Sequence, residues 1–397
     1  MPRFFCVWNK FVLQVRFWAF RRKTMKGCNL EPIIKWPGGK AKELVFITPN
    51  LPKLYKNFYD PFVGGGSVFM GLEANHYYIN DLSTELISLY RAIAYSDDDF
   101  YKKAFLMNDS WQKAKDFHDV HFDELCDLYL RFRNGDVDET TLKKQVKAFS
   151  KRTLTESERI VLLASNQISI FQEELNLNLY RKLLRMKNLE IRHGLMPIND
   201  ISDNIETAIK SALYMFYRHL YNNSNDNSLK KCLFFFLRNY AYSGMFRYND
   251  KGDFNVPYGG IAYNNKLLDK KLLYYQSNPV LTRFSNTTIE NLDFESFLKK
   301  NNPQEDDFVF LDPPYDTEFS TYARNEFTRD DQVRLAHYLI NQCHANWMLI
   351  IKNTDFIYNL YSNCKDLNIK TFNKEYVVSF MNRNDKKVTH LLITNYE

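Results

Sequence analysis

The 397-residue sequence predicts an α/β fold of the nucleotide-binding kind, interrupted by a mainly helical insertion. Three observations predict it. Between Ile33 and Tyr90 the pattern runs strand, glycine loop, helix, strand, helix. From Asp97 to about Asn227, charged and apolar residues recur at helical spacing instead. Near Phe308 the sheet resumes with an apolar strand, "FVFL", that stops on Asp312, Pro313 and Pro314.

The elements follow in order. "FYDPF" (58–62) is a short apolar strand, "VGGGS" (63–67) a tight loop, and "VFMGLEA" the start of a helix. "YYIN" (77–80) is a second strand, followed by the amphipathic helix "STELISLYRAI", which Ser83 is placed to cap. In the insertion, "FDELCDLYLRFR", "LKKQVKAFSKR" and "ALYMFYRHLY" read as helices. "TESE" (155–158) has the capping-box form ahead of "RIVLLA", and "NNSNDNS" (222–228) is a polar loop closing the insertion. A helix then leads into "MFRYNDKGDFNV", which predicts a hairpin with its turn at "NDKG" and a bend at Pro257. "DDQVRLAHYLINQC" is a helix, "WMLIIKN" a strand and "EYVVSFMNRNDKKVTHLLITN" a terminal hairpin. The expected division is an extension over 1–24, the first part of the main domain over 25–96, insertion and hairpin over 97–270, and the second part over 271–397.

Composition narrows the class. The chain is 45% hydrophobic and 25% charged, an ordinary globular balance, with net charge +6 and a pI of about 8.7 that suit a polyanionic partner. Six cysteines are scattered with no CxxC pair, which argues against a disulfide framework or a zinc site and fits a reducing cytoplasm. His118 and His121, three apart on a helix, read as a solvated face rather than a metal site. No run of 18 apolar residues marks a membrane span. The first 24 residues are aromatic and basic but lack the form of a signal peptide. Met25 is the expected natural start, with a membrane- or DNA-contacting arm as the competing reading.

The chemistry gathers at four places. Asp312 ends a strand at the edge where open α/β sheets bind ligands, and two prolines that cannot donate to a ladder follow it. The turn offers the Asp312 carboxylate and the Pro313 carbonyl beside the Tyr315 ring, a match for a planar base with an exocyclic amino group. An acid with prolines is equally ordinary turn chemistry. The glycines of "DPFVGGGS" allow close backbone approach by a ligand, although many such turns hold none, and the spacing is not the dinucleotide form. Asp81, at the end of the second strand, is placed either to accept ribose hydroxyls or to cap a helix. "KWPGGK" (35–40) combines an aromatic ring, glycines and lysines, and also suits a basic turn.

Taken together, "KWPGGK", "DPFVGGGSVF", "NDLSTELI", "NYAYSGMFRYNDKGDFNVPYGG", "FLDPPY" and "LLITNY", in this order, resemble the Dam-like adenine-N6 DNA methyltransferases. The resemblance implies a class I, Rossmann-like sheet with S-adenosylmethionine as methyl donor. It implies that Trp36, Lys40, Asp81 and Asp312 contact the cofactor and that Phe62, Gly64 and Gly66 shape its pocket. Asp312, Pro313 and Tyr315 of the Asp312-Pro313-Pro314-Tyr315 motif would hold the target base. In the family the hairpin enters DNA, so Tyr242 would stack at the target site, Arg247 would read a guanine, Lys35 would make a second guanine contact and Pro257 would lie beside the base edges. The long segment before "RNYAYSG" and the short loop after "DPPY" depart from the compact members.

The implied reaction is methylation of adenine N6 in double-stranded DNA, with no metal and no membrane, by a cytoplasmic enzyme of prokaryotic or phage type. The base must leave the duplex to be reached. Two settings stay open, a restriction–modification system with a cognate restriction endonuclease as partner, which the long insertion favours, and a Dam-like enzyme acting alone; GATC is the leading target sequence. The rival readings are a DNA-binding protein that kept the fold without catalysis and an RNA adenine methyltransferase.

Overall fold

The computed structural model describes residues 30–314, 327–375 and 387–397. Residues 1–24 and Tyr315 therefore lie outside the described residues. The described chain divides into two compact units, one of residues 30–90, 278–314, 327–375 and 387–397, the other Arg91–Ser277.

The first unit is built on a seven-stranded sheet. Its strands are β1 (Asn57–Asp60), β2 (His76–Asn80), β3 (Thr287–Glu290), β4 (Phe308–Leu311), β5 (Asn346–Lys352), β6 (Asn368–Glu375) and β7 (Lys387–Thr394). Their order is β3-β2-β1-β4-β5-β7-β6. β1 to β5 run parallel, and β7 is antiparallel to both β5 and β6. This is the class I methyltransferase sheet expected from the sequence. All four residues of β4 are buried, as a central parallel strand covered on both faces requires. On one face Val309, Leu311, Trp347, Leu349, Ile351, Leu391 and Ile393 form a core with Leu335, Leu339, Ile357 and Tyr361 of the covering helices. Near the other edge the buried Arg283 donates to the Phe69 and Leu72 carbonyls, and its guanidinium lies 4.3 Å from the Tyr77 ring centroid.

The second unit is helical. Its main helices are Asp98–Asn134, Glu139–Arg152, Ile168–His193, Ile198–Asn223 and Asn227–Tyr240. Trp111, Tyr129, Phe171, Leu179, Tyr214 and Phe236 fill its interior. Asp97, Asp138 and Asp226 each cap a following helix through a side-chain oxygen.

Several local expectations are corrected. The sheet resumes at β3, well before Phe308. "TTIE" is a four-residue, half-buried strand at the sheet edge, too short and too uniform to show alternation. "TESE" does not cap a helix over "RIVLLA". It belongs to the one-turn helix Leu154–Glu158, after which Ile160 and Val161 are buried in tight turns closed on the Ser157 carbonyl. Only Ser224, Asn225 and Asp226 separate the two helices around "NNSNDNS", because Asp226 caps the second. The terminal hairpin starts earlier than expected, at Asn368. His118 is not on a solvated face: it is buried, with Nδ1 2.9 Å from Asp119 Oδ1 and Nε2 3.3 Å from Ser202 Oγ.

Candidate active site

Three strands deliver a carboxylate each to the same edge of the sheet. β1 ends on Asp60, Asp81 follows β2, and Asp312 follows β4. β1 lies between β2 and β4, where the strand order reverses. Open α/β sheets bind ligands outside the carboxyl ends at such a point.

Asp312 is held by Lys40. The Lys40 ammonium lies 2.5 Å from Asp312 Oδ2, donates to the Gly38 carbonyl at 3.0 Å, and has Glu43 Oε2 at 3.8 Å. Lys40 is only 2% exposed, so protein groups rather than water compensate its charge. The "KWPGGK" turn is closed by Gly39 N–H donating to the Trp36 carbonyl at 3.1 Å. That turn packs against the glycine loop. A side chain at Gly65 would collide with the Ile34 carbonyl, and a Cβ at Gly64 would stand 2.8 Å from Trp36 Cδ1. Gly66 has φ +78°, and the Tyr90 hydroxyl leaves no room for a Cβ there. Tyr90 Oη also donates to the Gly64 carbonyl at 2.9 Å.

Asp81 fastens the glycine loop from the other side. Its Oδ2 accepts Gly64 N–H at 3.1 Å and its Oδ1 accepts Ser83 N–H at 2.9 Å. Ser83 does cap its helix, accepting Leu86 N–H at 3.3 Å. Burial pushes the Asp81 carboxyl up to about 6, against the pull of these N–H donors. Asp60 accepts Phe62 N–H at 3.2 Å. Burial, then the charges of Asp312 and Asp81, hold Asp60 well above the usual carboxylate range, with the Phe62 hydrogen bond and Lys40 opposing. The Phe62 ring stands 5.6 Å from both Phe294 and Phe327.

Two participants were missed in the sequence. Asp60 carries the same signal as Asp312, an acid ending an apolar strand before proline. Gln332 carries no such signal. It is fully buried on the helix Arg329–Asn341, and its Nε2 donates to the Pro314 carbonyl at 2.9 Å. Its Oε1 has no hydrogen-bond partner among the described residues.

The structure thus gathers Trp36, Lys40, Phe62, Gly64, Gly66, Asp81, Asp312, Pro313 and Pro314 in the first unit, and Lys35 is exposed beside Trp36. Tyr242, Arg247 and Pro257 lie in the second unit. There the expected hairpin is a pair of isolated antiparallel bridges, Ala241 with Tyr258 and Tyr248 with Phe254. Gly252 N–H donates to the Asn249 carbonyl at 2.8 Å to close the turn. The Asn222 side chain bonds both backbone groups of Phe254, and Phe246 stacks on Phe254 at 4.5 Å. The guanidinium of Arg238 lies 5.1 Å from the Phe246 ring centroid, and burial lowers its pKa to about 9. Tyr242 is 41% exposed and precedes Ser243, which takes the left-handed region at φ 53°. Its N–H donates to the Pro257 carbonyl at 2.9 Å. Arg247 is exposed, and its Nε donates to Asn255 Oδ1 at 3.2 Å.

Among the described residues no group of three or more His, Cys, Asp or Glu is placed to hold a metal ion, and no helix is long and apolar enough to cross a membrane. A family model described as D12 class N6 adenine-specific DNA methyltransferase matches residues 36–174 and 171–378. The chain is 24% identical over 377 residues to the type II methyltransferase M1.LlaDCHI of Lactococcus lactis subsp. cremoris, covering 93% of this chain and 96% of that one. It is 24% identical over 374 residues to the type II methyltransferase M.CviBI of Paramecium bursaria Chlorella virus NC1A, covering 92% of this chain and 100% of that one. It is also 23% identical over 328 residues to the DNA adenine methylase of Escherichia coli strain K12, covering 81% and 80%.

Proposed function

Because the chain belongs to the D12 class N6 adenine-specific DNA methyltransferases, we propose that S-adenosylmethionine is its methyl donor and that Asp312 and Pro313 hold the adenine amino group. The observation that carries this reading is the convergence of Asp60, Asp81 and Asp312 at the reversal of strand order, with Lys40 fixing Asp312.

The residues fit the donor. The two oxygens of Asp81 each accept one N–H from the chain and keep acceptor capacity for ribose hydroxyls. The missing side chains at Gly64 and Gly66 let Trp36 and Tyr90 pack directly on the loop backbone and so fix its shape, and Trp36 and Phe62 would supply apolar walls. When bound, S-adenosylmethionine supplies an electrophilic methyl group on a positively charged sulfur.

The chain's own residues do the rest. Adenine N6 is a poor nucleophile because its lone pair is delocalised into the ring. Hydrogen bonds from its two amino hydrogens to the Asp312 carboxylate and the Pro313 carbonyl favour a pyramidal nitrogen with an available lone pair. The carboxylate also stabilises positive charge developing on nitrogen, and Lys40 acts on the pocket by keeping that carboxylate oriented. The Tyr315 ring would cover the flipped base, and Pro314 keeps the turn from continuing as a strand. Tyr242, Arg247, Pro257 and Lys35 are assigned to target recognition. The two type II relatives support a restriction–modification setting with a cognate endonuclease, in the cytoplasm where DNA is available.

The test is incubation with labelled S-adenosylmethionine and duplex DNA, with the modified base identified. Label on adenine N6 is the expected result, and its loss in Asp312→Ala with folding intact supports the assigned role. Label on cytosine N4, a preference for RNA, or full activity of Asp312→Ala overturns the reading.

A further inference from the structure

Positive charge is concentrated in one stretch of the second unit. Residues 139–193 contain eleven Lys and Arg against six Asp and Glu. The helices Glu139–Arg152 and Ile168–His193 lie antiparallel. Tyr180 Oη donates to Glu139 Oε1 at 2.6 Å near one end, and Gln172 Nε2 donates to the Ser150 carbonyl at 2.9 Å near the other.

On Ile168–His193 the two faces differ sharply. Phe171, Leu175, Leu179, Leu183 and Met186 are buried. Arg181, Arg185, Asn188 and Arg192 follow one another at i, i+4, i+7 and i+11, and all four are exposed. They line an open groove with Leu184 and Leu189. Among the described residues, none of these three arginines has an ion-pair partner. Nearby acids are engaged elsewhere. Glu139 accepts from Tyr180, Glu174 from Asn178, and Glu190 is buried and accepts from Tyr129. Lys182 is held below the usual ammonium range, first by burial and then by the Arg185 charge.

A solvated helix face ordinarily alternates signs, with Glu or Asp one turn from each base. Here no acid stands three or four residues from Arg181, Arg185 or Arg192, although the Arg181 charge reaches Glu174 two turns back, and the three bases are arginines. A guanidinium fork matches phosphate oxygens better than an ammonium does. Four residues advance a helix by about 6 Å, so the stripe presents positive charge along a line of about 16 Å. Its complement is a polyanion with regularly repeated charge.

We propose that Arg181, Arg185 and Arg192 form a phosphate-backbone contact for DNA outside the methylated sequence, so that the helical insertion contributes affinity rather than base reading. The proposal rests on duplex DNA being the substrate.

The experiment compares wild type with the triple variant R181Q/R185Q/R192Q by fluorescence anisotropy on a target duplex and on a scrambled duplex across a salt series. The expected result is weaker binding to both duplexes alike, with the slope of log K against log salt reduced by about two to three. Affinity for S-adenosylmethionine, turnover at saturating DNA and melting temperature stay unchanged. The triple lysine variant should restore most of the slope, which a merely structural role for the arginines would not predict. An unchanged slope and unchanged affinity in the glutamine variant overturn the proposal and leave the face to an acidic protein or to solvent. A loss confined to the target duplex also overturns it, because phosphates carry no sequence. If wild type itself fails to methylate duplex DNA, the substrate reading fails instead, and the two failures are distinguishable.

Discussion

Lys40 Nζ lies 2.5 Å from Asp312 Oδ2, joining the first motif of the chain to one 272 residues away. The pair sits where β4 ends, and Lys40 is buried while Asp312 keeps 19% of its side-chain surface open. The closed end of the pair therefore fixes the carboxylate and the open end can meet a substrate. Asp312→Ala is expected to lower methyl transfer by at least about 10²-fold, the scale of losing one preorganised charge-stabilising group. Folding should survive, because Lys40 keeps the Gly38 carbonyl and the nearby Glu43. Single-turnover kinetics with a thermal melt checks this, and near-wild-type turnover removes Asp312 from the chemistry.

Asp81 gives a pH prediction. Burial raises its carboxyl from 3.8 to about 6, so the folded chain holds this proton more tightly than the unfolded chain. Its contribution to stability is full below the ordinary aspartate value and is lost as pH rises through about 6. Cofactor binding should run the other way, because the ionised carboxylate is the better acceptor for ribose hydroxyls. The dissociation constant for S-adenosylmethionine is expected to rise as pH falls below about 6 and to lose that dependence in Asp81→Asn. Calorimetric titration from pH 5 to 8 measures it. A profile identical in wild type and variant would remove Asp81 from the cofactor site.

Gln332 and Pro314 supply a third prediction. The 2.9 Å bond from Gln332 Nε2 to the Pro314 carbonyl ties the acidic turn to a buried helix position. Gln332→Met keeps the side-chain length and removes the donor. It also removes a buried acceptor that has no partner among the described residues, which offsets the donor lost to the Pro314 carbonyl, so stability should hold. Turnover is expected to fall about tenfold, equivalent to 1.4 kcal/mol of lost positioning, with the Michaelis constant for the cofactor within about twofold. A fall in melting temperature parallel to the fall in rate would make Gln332 a packing residue only.

Legibility in the sequence followed local chemistry. The glycine loop and the Asp312 turn were readable because glycines and prolines constrain backbone directly. Asp81 was readable because strand ends in such sheets follow a rule of position. β3 was not, since an edge strand of four half-buried residues needs no apolar alternation. Asp60 was readable in principle and overlooked. Gln332 was not readable, because a lone glutamine on a helix owes its role to a contact 18 residues back along the chain, with Pro314. His118 failed for a related reason: helical spacing alone does not reveal which face a neighbouring helix covers.

Arg247 carries the prediction on target choice. It is exposed on the hairpin, one residue from the aromatic pair Phe246 and Phe254 that fixes the backbone beneath it. Its Nε is taken up by Asn255 Oδ1, which orients the guanidinium, and among the described residues its terminal N–H groups have no acceptor. Guanine O6 and N7 accept a bidentate pair of such donors, and lysine cannot reproduce that fork. The target is therefore expected to contain a guanine–cytosine pair flanking the methylated adenine. Arg247→Ala should relax preference at one base pair by about 1–3 kcal/mol, while leaving affinity for scrambled duplex nearly unchanged. Asn255→Ala should weaken the same preference less, since it frees the guanidinium without removing it. Sequencing of modified bases in DNA from a host expressing each variant gives the profile. If the consensus stays fixed while methylation falls evenly at all sites, Arg247 is a backbone clamp. Guanine reading must then be sought at Lys35, whose substitution would be profiled the same way.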